Sequence, residues 1–186
     1  HLTDVRRDLM WQVPVAFVGG LLGGWLLLGT DADTFSAAVP WLLLFATVLF
    51  MLGGQLARMA ASVSSRQLWA IGAVALFLTC IYGGYFNGGF GILTLAALSL
   101  SGYTQVRTMQ GLKLIFATVS SISALVLFIG AGVVDYVGGL AVMLGIGLGS
   151  YGAARLTDFV SDATVRRASL AVCIGVTVYA FYAEYI

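Results

Sequence analysis

Five glycines crowd into nine residues of an apolar run, Gly83-Gly84-Tyr85-Phe86-Asn87-Gly88-Gly89-Phe90-Gly91. Glycine weakens a continuous helix and tolerates backbone conformations that other residues avoid. A helix break at membrane depth exposes N–H and C=O groups that only protein or a water-lined cavity can satisfy. The residues after the break open a new apolar helix, 88–101. A helix N-terminus offers free amides and a partial positive charge. Gly88, Gly89 and Gly91 in that position make a site for an anion. Asn87 is placed to cap the half-helix through its side chain. A tight turn packed against neighbours, with no ligand, is the competing reading of the same glycines.

Lys113 is the second group with chemistry to offer. It follows the start of the apolar helix 108–130. A lysine at a helix centre costs about 2.5–3.5 kcal/mol on insertion scales, whereas near an end it can reach the interface. It is therefore either a snorkelling anchor or a cation turned inward to meet an anionic substrate. Gln110 and Ala117 share its face at helical spacing. Ser120 and Ser121 lie two turns on and can add hydroxyl donors, or bond back to their own helix. Tyr82 and Tyr85 flank the break, as substrate ligands or as part of an aromatic belt. The expected substrate-binding set is Tyr85, Asn87, Gly88, Gly89, Gly91, Gln110, Lys113 and Ser120.

These residues belong to a chain whose composition points to lipid as its solvent. Of 186 residues, 60% are hydrophobic and 9% charged. An ordinary soluble domain carries about 25% charged residues, and the mean hydropathy is +1.00. The single histidine is His1. No span holds Asp or Glu at its middle, which argues against an intramembrane metalloprotease. A serine nucleophile would have no base beside it. No nucleotide-binding loop, cofactor motif or nucleic-acid patch is present. Cys80 and Cys173 lie in separate apolar runs and read as small core residues.

The positioning elements follow from apolar runs and charge. Residues 67–101 form a run too long for one ordinary crossing of about 20 residues. Basic residues group at 6–7, 58–66, 107–113 and 155–167, while the turns at 30–36 and 131–135 hold Asp31, Asp33 and Asp135. Basic residues favour the cytoplasmic side. If 67–101 crossed once, two basic groups would fall on opposite sides. If it enters and returns as a hairpin, all nine basic residues share one side. The pattern therefore predicts an all-α polytopic bundle of seven segments: 11–29, 38–54, 67–82, 88–101, 108–130, 134–153 and 164–183. Trp11, Trp41, Trp69 and Tyr103 sit near span ends and read as interface anchors.

Gly19 and Gly23 are matched by Gly145 and Gly149 at an offset of 126 residues, and the same shift carries 38–54 onto the last span. The two copies run in opposite directions, as inverted repeats do in many secondary transporters. Residues 1–66 then form the end of a first repeat, with two transmembrane helices. Residues 67–186 form a second repeat, the broken hairpin plus three helices. The partner of 67–130 is expected upstream of residue 5, either in the same protein or replaced by homo-oligomerisation.

The stretch IYGGYFNGGFGILTLAALSLSGYTQVRTMQGLKLIFATVSSISALVLFIGAG, followed by VDYVGGLAVMLGIGLGSYGAARL, resembles the TauE/SafE family of sulfite exporter-like permeases. Gly84, Gly88 and Gly91, then Arg107 and Lys113, stand where that family has its glycine-rich break and the basic residues opening the next helix. Gly145, Gly149, Gly152 and Ala153-Ala154-Arg155 match the span that follows. Ser120 departs from the asparagine that members often carry two turns after the lysine. The resemblance covers nearly the whole chain and about two-thirds of an intact member. It implies export or uptake of small sulfur-containing anions by a multi-pass protein of the bacterial inner membrane. The expected partners are a small anionic substrate and membrane lipid. A passive anion channel and a non-transporting membrane scaffold are the alternative functions.

Overall fold

The computed structural model describes residues 2–61, 66–103, 105–157 and 162–185. His1 and the side chains of Arg6, Arg7, Arg58, Arg66, Trp69 and Arg166 lie outside the described residues. Seven helices follow one another: α1 (Leu2–Leu28), α2 (Ala32–Ala61), α3 (Arg66–Tyr85), α4 (Phe90–Leu100), α5 (Val106–Gly130), α6 (Tyr136–Thr157) and α7 (Asp162–Tyr185). In hydrocarbon a helix is the one spanning form that satisfies its own backbone without a partner strand. Leu9–Leu28, Ala32–Leu52, Arg107–Gly130 and Arg167–Tyr185 are long and apolar enough to cross. Ala70–Tyr85, Phe90–Leu100 and Tyr136–Gly152 are shorter apolar helices.

Lipid tails are as apolar as leucine, so close packing rather than the hydrophobic effect holds such helices together. The centre is a sandwich of three parallel helices, with α1 between α3 and α5. A methyl group built on Gly19 would lie 2.7 Å from Cys80 Cβ, and one on Gly23 would lie 2.8 Å from the Tyr85 nitrogen. On the other side, Gly24 approaches Ala124 Cα as closely as 3.1 Å by the same construction. Gly20 faces Ser120 and Ser123, where Ser123 Oγ donates to Ser120 O at 2.8 Å. Beneath this seam, Leu76, Phe90, Leu98, Leu112 and Phe116 form the buried apolar core.

Residues 67–101 enter and return. α4 runs antiparallel to α3, so that Gly72 backs onto Ser101 and Gly83 onto the Phe90 ring. The starts of α1, α3 and α5 share one end of the molecule, which gathers the basic groups there. The Asp31 and Asp135 turns lie at the other. Asp31 caps α2 by accepting the Thr34 amide and hydroxyl, both at 2.9 Å. Asp135 caps α6 by accepting the amides of Val137 and Gly138 at 3.1 Å.

α2 and α7 form an antiparallel pair outside this block. Thr47 and Thr177 share a buried hydroxyl hydrogen bond of 3.0 Å. Toward the far end, Trp41 Nε1 donates to Tyr185 Oη at 3.1 Å and its ring stands edge-on to Phe181. α2 also touches α4. α1, which sequence assigns to the first repeat, thus packs within the second. α6 stands apart: among the described residues it has no more than isolated contacts with other helices. Trp11 and Trp41 are exposed, as lipid-facing anchors require, whereas Tyr103 packs against the core.

Candidate functional site

The break is shorter and later than sequence spacing predicts. α3 runs through Gly83 and Gly84 to Tyr85, and α4 begins at Phe90. The first two glycines remain helical because they are packing surfaces: a methyl group on Gly84 would collide with the Gly20 backbone. Only residues 86–89 leave the helix. α3 is level with α1 where Cys80 faces Gly19, near the middle of the α1 crossing. The apex at Asn87 therefore lies about 10 Å beyond that midpoint, at 1.5 Å per residue.

Asn87 does not cap α4. Its φ of 64° is left-handed, and its amide bonds back to Tyr82 O at 3.3 Å, so it closes the C-terminus of α3. Asparagine is one of the few residues besides glycine that accept this role. The N-cap of α4 is Gly89, at φ 75°, with no side-chain cap. Its carbonyl accepts the amides of Ile92 and Leu93 at 3.0 and 3.3 Å. Among the described residues, the amides of Gly88, Gly89 and Gly91 make no hydrogen bond. Those are the three amides that sequence singled out.

Lys113 reaches this turn. A methyl group on Gly91 would lie 3.3 Å from Lys113 Cδ and 4.0 Å from its Nζ. The bare glycine is thus the groove along which the lysine stem lies. The ammonium comes to rest beside the positive end of α4. With a helix-end charge of about +0.5 and an effective dielectric near 20, the repulsion at roughly 5 Å is about 1.5 kcal/mol. An anion between the two converts this repulsion into attraction.

The remaining candidates separate. Ser120 is buried and donates to Cys80 O across the α3–α5 seam at 3.1 Å, so it is a structural hydroxyl and not a substrate ligand. Ser121 lines the space instead, together with Tyr85 and Asn87, in an open cavity of about 360 Å³ between α1, the break and α5. Gly88 and Gly89 line a second, largely apolar cavity of about 250 Å³, walled by α2 and α7. Gln110 is exposed on α5 and belongs to neither cavity. Tyr82 is not a belt residue: its ring lies edge-on to Phe45 and to Phe86. Its hydroxyl is buried without a hydrogen-bond partner among the described residues. The Thr47–Thr177 tie beside the second cavity was not foreseen. Two mid-span threonines on separate spans were the available signal, and nothing in the sequence pairs them.

Helices that satisfy their own backbone, a hairpin that turns inside the layer and a bare N-terminus beside a lysine define a multi-pass membrane protein built on a broken-helix plan. Residues 2–180 match the family model described as sulfite exporter TauE/SafE, and the chain belongs to that family. It is similar to a protein of Escherichia coli (strain K12) named "Probable membrane transporter protein YfcA", with 26% identity over 154 residues. Proteins of the same name in strains O6:H1 and O157:H7 match equally. The match covers 80% of this chain and 55% of each relative, so the chain spans just over half their length. No solved structure matches.

Proposed function

We propose that this chain forms part of a secondary transporter of small oxyanions, with the anion held between Lys113 and the first turn of α4. One observation carries the reading: the Lys113 stem lies along Gly91, which brings the ammonium beside three amides without hydrogen bonds. A cation and a helix N-terminus repel unless a negative group joins them. The family description favours sulfite and related sulfur oxyanions as the substrate class, and the relatives' name favours a membrane transporter. The charge balance comes from Lys113, the orientation from Gly88, Gly89 and Gly91. Asn87 serves by holding the left-handed turn that aims those amides.

The test is flux of sulfite, thiosulfate and taurine into proteoliposomes holding the complete polypeptide. Saturable sulfite or thiosulfate uptake that Lys113→Gln removes supports the reading. Saturable flux of these anions unchanged in that variant sinks the lysine's role, and single-channel currents would replace the transporter with a channel.

A further inference from the structure

The apolar cavity beside the break has a wall with internal symmetry. From α2 it takes Ala46, Thr47 and Phe50, and from α7 it takes Val172, Cys173 and Val176. A shift of 126 residues carries the first trio onto the second. This is the shift that relates Gly19 and Gly23 of α1 to Gly145 and Gly149 of α6. Two observations, one of sequence spacing and one of cavity geometry, therefore define the same operation. Since α2 and α7 are antiparallel, that operation is a two-fold axis through their crossing.

The symmetry leaves a debt on one side. Gln12, Ala16, Gly19 and Gly23 of α1 are all buried, covered by neighbouring helices. Their equivalents on α6 are Gly138, Val142, Gly145 and Gly149. Val142 is 61% exposed, and built methyl groups on Gly145 and Gly149 meet nothing. A helix with six glycines in 22 residues gains little from propensity and needs close neighbours.

We infer that a second broken hairpin plus span, built like α3–α5 but inverted and belonging to the same polypeptide, docks on the glycine face of α6 and closes the open side of the α2–α7 cavity. A second copy of residues 1–186 does not fit this role, because its own α1 already fills the groove between α3 and α5. The relatives have room for such a unit. Their 154 matched residues are 55% of their length, so about 125 lie outside the match, against 65 in the span 66–130. The completed cavity then has a glycine break on each side. This inference concerns assembly and holds whatever the cavity binds.

The test is photo-crosslinking of the polypeptide as its organism makes it, in native membranes. A benzophenone amino acid is placed at Val142, on the glycine face, or at Met143, on the opposite face. Val142 is expected to join peptides N-terminal to His1 within one polypeptide, and Met143 to join lipid. Crosslinked dimers, crosslinks confined to residues 1–186, or lipid adducts alone at Val142 each overturn the inference. As a second measurement, Gly145→Leu and Gly149→Leu are expected to lower the Tm of the purified protein, and Gly147→Leu, on the other face, to leave it unchanged. Equal effects at all three positions count against the docking face.

Discussion

Replacing Lys113 with glutamine keeps the length of the stem along Gly91 and removes only the charge. With Nζ 4.0 Å from the Gly91 Cβ position, an oxyanion seated on the amides lies roughly 4 Å from the ammonium. At an effective dielectric of 20 the attraction is about 4 kcal/mol. Desolvation of the lysine offsets part of this, leaving a net loss of about 2–3 kcal/mol on truncation. At 1.4 kcal/mol per tenfold, sulfite binding should weaken by about 30- to 150-fold. The assay is calorimetric titration of sulfite into the complete polypeptide in nanodiscs, at two salt concentrations. The wild-type protein should lose affinity with added salt more steeply than the variant. A Kd within threefold of wild type, in a variant with unchanged Tm, would refute the electrostatic reasoning. Arginine at 113 should recover part of the affinity, since the charge returns but the planar fork fits the Gly91 groove poorly.

Other perturbations test the scaffold. Gly84→Ala places a methyl group against the Gly20 backbone and should lower the Tm through overpacking worth about 1–3 kcal/mol; an unchanged Tm in detergent would contradict the α1–α3 seam. Asn87→Val forces a β-branched residue into left-handed backbone and should cost about 1–2 kcal/mol, while Asn87→Gly should be nearly neutral, both read by thermal unfolding. Asp31 has its carboxyl held below the usual 3.8, first by the Thr34 amide and then by the Thr34 hydroxyl. Its folded pKa is depressed, so the contribution to α2 is present above pH 3.8 and fades as pH falls through the lower folded value. Hydrogen exchange at Thr34 should quicken in that acid window, and Asp31→Asn should flatten the response.

The hairpin was legible because charge and length acted together: only a returning 67–101 run gathers the basic groups at one end. The three amides were legible because a glycine-rich helix start has few other uses. What the sequence could not reveal was the division of labour among neighbouring glycines. Gly83 and Gly84 stay helical because Phe90 and Gly20 press on them, and neither partner is near in sequence. Asn87 closes the helix before the break and not the one after it, a choice fixed by its φ. Ser120 looked available at helical spacing from Lys113, yet a carbonyl forty residues upstream takes its hydroxyl. Gln110 shares the helical face of Lys113 in projection, but α4 does not extend far enough to cover it.

The seam of α1 against α3 and α5 has a mechanical consequence. Backbone touches backbone there, with no side chains to act as a cushion, so the three helices cannot slide without colliding. They form a stator. Any rearrangement that opens the cavity to alternate faces must be carried by α2 and α7, which are joined to each other by one threonine pair and an aromatic clasp around Trp41.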